Sequence, residues 1–365
     1  MDTKPRERFI VIMAGGKGER FWPQSRNARP KHLLPILGSQ PMLTQTIERF
    51  GSIVPRSNIL IITNREQVSG VQHCLPQLPP ANIIAEPIGR DTAAAVGLAT
   101  LLVKSRNPEA VFAMLPADHL ITDHANFQAC LERAFTVASK ATVICTIGIR
   151  PEFPATGYGY IERGQPLPSD PEHAFQVKRF VEKPDLPTAT AYLEKGGFFW
   201  NAGMFFWSVP TIDQAIRRYL PDLATTLDQI GTSLNDGGDF QSTLEALYPQ
   251  LEKISIDYAV MQKADNVAMI ESTFDWDDLG SWPALARHLP PDPEGNHTEG
   301  KAVLQTSKNN LVINHTDRAL VLVGVEDLIV VETEDATLVC RREEAEKIKA
   351  AVKTMGSLPA WQQHL

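Results

Sequence analysis

Cysteine is scarce in this chain. The four residues Cys74, Cys130, Cys145 and Cys340 are scattered through 365 positions with no CxxC spacing, which excludes a zinc ribbon and a disulfide framework. Buried free thiols are the expectation. Long apolar runs are also missing, and the opening MDTKPRERF carries no hydrophobic segment of the kind a leader needs, so the expected location is the cytoplasm, with no membrane partner. Positive charge is not in surplus. A formal charge of −8 counts against a general nucleic-acid binder, whose affinity rests on excess Lys and Arg. It leaves room for a nucleotide, whose pocket needs only a few local cations. With 43% hydrophobic and 21% charged residues the composition is that of a globular protein without implied disorder, and the length suits a main domain with a smaller companion.

What is present starts with the stretch FIVIMAGGKGERFWPQSRNARPKHLLP. The apolar run Phe9 to Met13, cut off by Ala14-Gly15-Gly16, reads as a buried strand ending in a tight turn. Gly15, Gly16 and Gly18 allow main-chain N–H groups to approach an anion closely. Arg20, Arg26, Arg29 and Lys31 add cations close behind, so a polyphosphate is the natural guest. The two familiar glycine loops do not fit. A dinucleotide fingerprint would need glycine where Phe21 stands, and a P-loop would need Lys and Ser/Thr after its last glycine, where Gly18 is followed by Glu19. Taken through Arg20, Trp22-Pro23, Ser25-Arg26 and Pro30-Lys31, the stretch resembles the signature loop of the sugar-phosphate nucleotidyltransferases, and most of all its mannose-1-phosphate guanylyltransferase branch. Phe21 and Gln24 depart from the Leu more usual in that branch.

Downstream, Ile59 to Thr63, Asn82 to Ala85 and Ala110 to Leu115 read as further buried strands, separated by helical patterns at Pro41 to Phe50 and Ala93 to about Lys104. That alternation indicates βαβ units in a parallel sheet covered on both faces, with ligands beyond the carboxyl ends of the strands. The loops at Gly15, Glu86 and Pro116 leave three such ends. From Val143 to Ile149, Thr156 to Ile161 and Val177 to Glu182 more strands are expected, in a sheet that becomes mixed, with helices at Leu186 to Lys195 and Thr211 to Leu220. Gly231 to Asp239 reads as a polar loop. A boundary falls at Pro290-Pro291-Asp292-Pro293-Glu294-Gly295, giving expected domains at 1–290 and 291–365. The second reads as short strands at Ala302, Leu311, Ala319, Leu328 and Thr337, closed by a charged helix from Arg342 to Met355. The resemblance implies a Rossmann-like α/β nucleotidyltransferase fold, with a mixed, mostly parallel sheet and helices on both faces, followed by a small all-β domain like a left-handed β-helix. Exposed edges in a small β domain favour pairing, so a homodimer is compatible with the sequence.

Asp118, in Leu-Pro-Ala-Asp-His, directly follows a buried strand at its ligand-binding end. A lone Asp in a turn is more often a cap. Two phosphate-bearing substrates would nevertheless need a divalent cation, and Mg²⁺ takes one or two carboxylates. Asp275, Asp277 and Asp278 in Phe-Asp-Trp-Asp-Asp-Leu-Gly-Ser-Trp offer the second. The resemblance selects Asp278 as the metal partner of Asp118 and leaves the other two as surface or supporting carboxylates. His119 is read as a structural neighbour, since a sugar phosphate is already an anion and needs no base. Glu182-Lys183-Pro184 would be an ordinary surface pair in isolation. By resemblance, Glu182 takes sugar hydroxyls and Lys183 the sugar phosphate, with Asn201 and Gly159 completing the sugar site. Ala14, Gly15, Gly16 and Gly18, together with Glu86, Pro87, Gly89, Thr92 and Ala93, are the implied nucleotide contacts. Asp257, in Ser-Ile-Asp-Tyr-Ala-Val-Met, is open between orienting a ligand and starting a helix. The implied reaction joins GTP and mannose 1-phosphate into GDP-mannose, with Arg20 and Lys31 as the catalytic cations and Mg²⁺ as cofactor. Two alternatives stand beside it: transfer from UTP or dTTP to glucose 1-phosphate, and a non-catalytic relative that senses nucleotide sugars.

Overall fold

The β-branched run after Glu7 forms β1 (Arg8–Ala14), buried on both faces. It is followed in chain order by β2 (Ile59–Asn64), β3 (Ile83–Glu86), β4 (Val111–Pro116), β5 (Ile144–Ile149), β6 (Tyr160–Pro166), β7 (Ala174–Val181), β8 (Phe198–Ser208) and β9 (Val267–Glu271). In the computed structural model, which describes residues 6–235 and 238–365, these nine strands make one sheet of order β3-β2-β1-β4-β8-β5-β9-β7-β6. The first four pair in parallel. β8 then enters antiparallel to both β4 and β5, and its aromatic run places Phe206 on one face of the sheet and Phe205 and Trp207 on the other. One apolar layer under the helix His124–Lys140 and another under the helices Asp91–Arg106 and Val209–Tyr219 sandwich the sheet.

Because β1, β2, β3 and β4 are parallel, the loops after Ala14, Glu86 and Pro116 leave the same edge. The strand order reverses direction between β1 and β4, the position where an open α/β sheet leaves a crevice. Two expectations need correction here. The strand expected from Thr156 starts only at Tyr160, leaving Thr156 to Gly159 as a turn. Gly231 to Asn235 are not loop but the last turns of the helix Pro221–Asn235, because Ile230 is buried in the apolar layer below and one glycine costs a packed helix only about 1 kcal/mol. The rest of that expected loop includes residues 236 and 237, which lie outside the described residues.

Beyond residue 290 come β10 (His297–Gly300), β11 (Ala302–Gln305), β12 (Leu311–Asn314), β13 (Leu320–Val323), β14 (Leu328–Glu332) and β15 (Thr337–Arg341). β10, β12 and β14 stack in parallel as one wall and β11 and β13 as another, with β15 antiparallel on β14. Among the described residues, only Val312, Leu322 and Val330 are buried apolar side chains in the cluster between the walls. That is too little for an independent core. The deficit is met by a shared one, in which Leu311, Ile313, Ile329 and Val331, with Ile348 and Val352 of the helix Ile348–Gly356, pack with Phe21, Leu34, Leu279 and Trp282. The coil is thereby fastened to the glycine loop itself. Among the described residues no helix is long and apolar enough to cross a membrane.

Candidate active site

Four backbone N–H groups in a row, those of Gly15, Gly16, Lys17 and Gly18, donate to no other described residue. They lie in the turn after β1 and remain free for an anion, as a run of such donors requires. Gly18 has φ +64°, and a Cβ there would come within 2.8 Å of Lys31. Only glycine lets the loop fold down on that side chain. Lys31 is 4% exposed. Its Nζ lies 2.9 Å from Asp118 Oδ2 and donates to the Asp278 carbonyl at 2.7 Å.

Asp118 and Asp278 meet for a reason that lies in the backbone. Leu120 and Asp277 form an isolated antiparallel bridge, with Leu120 N–H donating to Asp277 O at 2.8 Å and Asp277 N–H to Leu120 O at 3.1 Å. The two acidic segments are thus stitched together, and both carboxylates border one cavity of about 370 Å³ lined also by Lys17, Gly18, Arg20, Lys31, His119 and Gly280. Burial pushes the Asp118 carboxyl up, but the Lys31 ammonium beside it outweighs that and holds it below the usual carboxylate range. Asp278 Oδ1 accepts from the Tyr158 hydroxyl at 2.7 Å and from Gly280 N–H at 3.1 Å. Asp275 and Asp277 are structural. Asp275 binds the N–H groups of Thr122 and Asp123, and Asp277 is buried among Arg287, His288 and Leu279 N–H.

The two Asp residues are hard oxygen donors on one wall, a set that suits Mg²⁺. Among the described residues no cluster of three or more His, Cys, Asp or Glu could hold an ion, so a metal on this pair would take its other positions from phosphate and water.

Arg20 stands on the cavity rim, yet its Nε pairs at 2.8 Å with Glu346 of the C-terminal segment. Lys349 lines the same cavity and lies 3.8 Å from Glu19. Of the remaining nucleotide candidates, Ala14 is buried with its carbonyl accepting from Thr63 Oγ1 at 2.8 Å. Glu86 faces Gly15, whose added Cβ would lie 3.2 Å from Glu86 Oε2. Glu86 also accepts a hydrogen bond from the Tyr248 hydroxyl. Burial raises its pKa to about 7, against the lowering effect of that bond. Pro87 and Gly89 lead into the helix Asp91–Arg106, where Thr92 Oγ1 accepts from Ile256 N–H at 2.9 Å and Ala93 N–H donates to Ile254 O at 3.1 Å.

Across the cleft, a Cβ on Gly159 would come within 2.5 Å of Glu182 Oε2. Glu182 is held by Lys183 Nζ at 3.1 Å through its other oxygen, and Oε2 is buried without a partner among the described residues. Asn201 differs from expectation. Its Oδ1 accepts from Thr146 Oγ1 at 3.0 Å and Gly203 N–H at 3.2 Å, and its Nδ2 donates to Asp257 Oδ1 at 2.9 Å. One amide hydrogen is left for a ligand. Asp257, at the start of the short π-turn Asp257–Met261, therefore belongs to this group. Burial, reinforced by the neighbouring Glu182, raises its pKa to about 7. Tyr158, missed in the sequence, carries its link to Asp278 through an aromatic cluster with Trp200 and Trp276. Its position between Gly157 and Gly159 was the only signal. The groups thus close a ring: Gly18 on Lys31, Lys31 on Asp118 and Asp278, Tyr158 and Gly159 leading to Glu182, Asn201 on Asp257, Ile256 on Thr92, and Glu86 back on Gly15.

A family model described as nucleotidyl transferase matches residues 10–292, and one described as MannoseP isomerase/GMP-like beta-helix domain matches residues 300–355. The chain belongs to the nucleotidyl transferase family, in its mannose-1-phosphate guanylyltransferase group. It is 37% identical over 345 residues to the mannose-1-phosphate guanylyltransferase of Klebsiella pneumoniae, covering 94% of this chain and 73% of that protein. To the Sinorhizobium fredii mannose-1-phosphate guanylyltransferase it is 37% identical over 359 residues, covering 98% and 69%. A crystal structure from Thermus thermophilus, described as a mannose-1-phosphate geranyltransferase, superposes with TM-score 0.84 at 34% identity over 96% of this chain and 99% of that one. The family's nucleotidyltransferase sheet and its β-helix-like extension, which ends in a helix, are both present here.

Proposed function

We propose that this nucleotidyl transferase is a mannose-1-phosphate guanylyltransferase (EC 2.7.7.13), converting GTP and α-D-mannose 1-phosphate into GDP-mannose and pyrophosphate. The observation that carries the reading is the Leu120–Asp277 bridge, which sets Asp118 and Asp278 beside Lys31 on the cavity that Lys17 and Gly18 of the glycine loop also line. The relatives' names support the choice of base and sugar.

An oxygen of the sugar phosphate attacks the α-phosphorus of GTP in line. A P–O bond forms there as the bond to the β-phosphate oxygen breaks, and pyrophosphate departs with the electron pair. The attacking group is already anionic, so no proton has to be moved. The glycine-loop N–H groups and Arg20 hold the triphosphate, Lys31 meets charge developing on it, and Lys183 holds the sugar phosphate. Glu86 offers a carboxylate to the donor edge of guanine, with Pro87, Gly89, Thr92 and Ala93 shaping that loop. Glu182 and Gly159, with Asn201 acting mainly through Asp257, select the hexose. Asp118 and Asp278 would hold Mg²⁺, which supplies neutralisation of the crowded phosphate oxygens. Residues 1–290 form the catalytic unit and 291–365 the appendage that braces its loop.

The test is a panel of GTP, ATP, UTP and dTTP against mannose, glucose and galactose 1-phosphates, scored by pyrophosphate release. GTP with mannose 1-phosphate should exceed every other pair in kcat/KM. A preference for UTP or dTTP with glucose 1-phosphate would overturn the assignment, and no release from any pair would point to a nucleotide-sugar sensor.

A further inference from the structure

His119 looks from sequence like a bystander to Asp118, but the fold invests heavily in holding it still. Arg49, a cation only 3% exposed, donates to the His119 carbonyl from both terminal nitrogens at 3.1 Å. Arg49 is itself fixed through its carbonyl, which accepts from Gln128 Nε2 at 2.7 Å. On either side, Thr46 Oγ1 donates to the Ala117 carbonyl at 3.1 Å and Leu120 is paired with Asp277. The ring is held as well, because Trp276 Nε1 lies 3.1 Å from His119 Nδ1.

An indole N–H can only donate, so His119 Nδ1 must accept. A ring that accepts at Nδ1 is neutral and carries its single proton on Nε2. That nitrogen takes no protein partner among the described residues and is not sealed in the core, and His119 is among the residues lining the cavity that also holds Lys31, Asp118 and Asp278. A neutral donor in a fixed direction suits an anionic oxygen, and it adds no charge to compete with the cations already there.

We propose that His119 Nε2–H donates a hydrogen bond to a phosphate oxygen of the bound substrates at the reacting centre, with Trp276 and Arg49 as the positioning residues that fix its tautomer and place. This rests on the phosphoryl-transfer reading above. It assigns His119 the role of a donor and never of a proton acceptor.

The experiment uses the full chain with GTP, mannose 1-phosphate and Mg²⁺. His119→Phe should lower kcat by about 10²- to 10³-fold, the usual loss for one preorganised donor, with both KM values within about threefold. His119→Gln, whose amide nitrogen can occupy the place of Nε2, should restore kcat to within about tenfold of the parent. Equal inactivity of the two variants would overturn the donor role, as would a His119→Phe enzyme that keeps more than about a third of the parent kcat. Should the variants fail to fold, ¹⁵N NMR of the parent decides. The Nε2–H tautomer, with its proton resonance shifting on GTP addition, supports the role, and the Nδ1–H tautomer or an Nε2 proton that GTP does not move ends it. A parent enzyme that turns over no substrate pair would defeat the phosphoryl-transfer reading instead, so the two failures are distinguishable.

Discussion

Replacing Lys31 by Met keeps most of the side chain's volume and removes only its charge, at a point where the structure makes the consequences separable. The ammonium is in contact with Asp118 Oδ2 at 2.9 Å and the Asp278 carbonyl at 2.7 Å, from a side chain that is 5% exposed. Breaking a fully buried ion pair costs about 3–5 kcal/mol. The Asp118 side chain is 38% exposed, and water can take over part of the lost interaction, so about 2 kcal/mol is expected. That is a fall of several degrees in Tm by differential scanning fluorimetry. The variant should stay folded but be measurably less stable than the parent. Turnover should fall by about 10²- to 10³-fold through loss of a cation facing developing phosphate charge. Divalent affinity in the absence of substrate should move the other way, because removing one cation from Asp118 makes that carboxylate more attractive to another. Calorimetric titration with Mn²⁺ reads that sign. A variant with near-parent pyrophosphate release would remove Lys31 from the mechanism, and weaker Mn²⁺ binding would refute the placing of the metal on Asp118.

Three further outcomes follow from particular contacts. Glu86 holds its proton up to a pKa of about 7 in the fold but only to about 4.5 when unfolded, so between those values the native state binds more protons and its stability falls as pH rises. Glu86→Gln removes that slope: its stability relative to the parent should improve by up to roughly 3 kcal/mol between pH 4.5 and 8 in urea titrations, and a pH-independent difference would contradict the assignment. Glu346→Gln frees Arg20 from an exposed pair worth less than about 1 kcal/mol, so Tm should hold. The KM for GTP should drop by up to about fivefold at low salt and converge with the parent near 0.5 M salt, where exposed charges are screened; an unchanged or higher KM at low salt would show that Glu346 does not compete for Arg20. Gly159→Ala drives a Cβ toward Glu182 Oε2, which lies 2.5 Å from its ideal position. Displacing that carboxylate should raise the KM for mannose 1-phosphate by roughly 10- to 100-fold while the KM for GTP stays put, and equal effects on both would take Glu182 out of sugar selection.

What can be read from the residues, and what cannot, divides along a physical line. β1, β2 and β4 are legible because a strand buried on both faces must be a continuous apolar run, and the motifs are legible because they sit where such runs stop. β9 is not, since Val-Ala-Met-Ile is equally suited to a short helix. The pairing of Asp118 with Asp278 can be inferred only by resemblance, because the bridge that makes it joins the main chains of Leu120 and Asp277, through groups that every residue carries. Asn201 reads as a free amide, since sequence shows a side chain's capacity for hydrogen bonds and hides how many are already taken. The same blindness conceals Tyr158 and His119, whose placing depends on aromatic packing around Trp276 that no spacing rule encodes. Arg20 is the instructive case. Local sequence sets it just after the glycine loop, the structure puts it on the rim of the cavity with Lys31, Asp118 and Asp278, and its partner comes from the far end of the chain. The coil that brings Glu346 there has so small a core of its own that it must borrow Phe21, Leu34 and Trp282 from the signature region. An appendage bound by that necessity cannot shift without moving the glycine loop on which it packs.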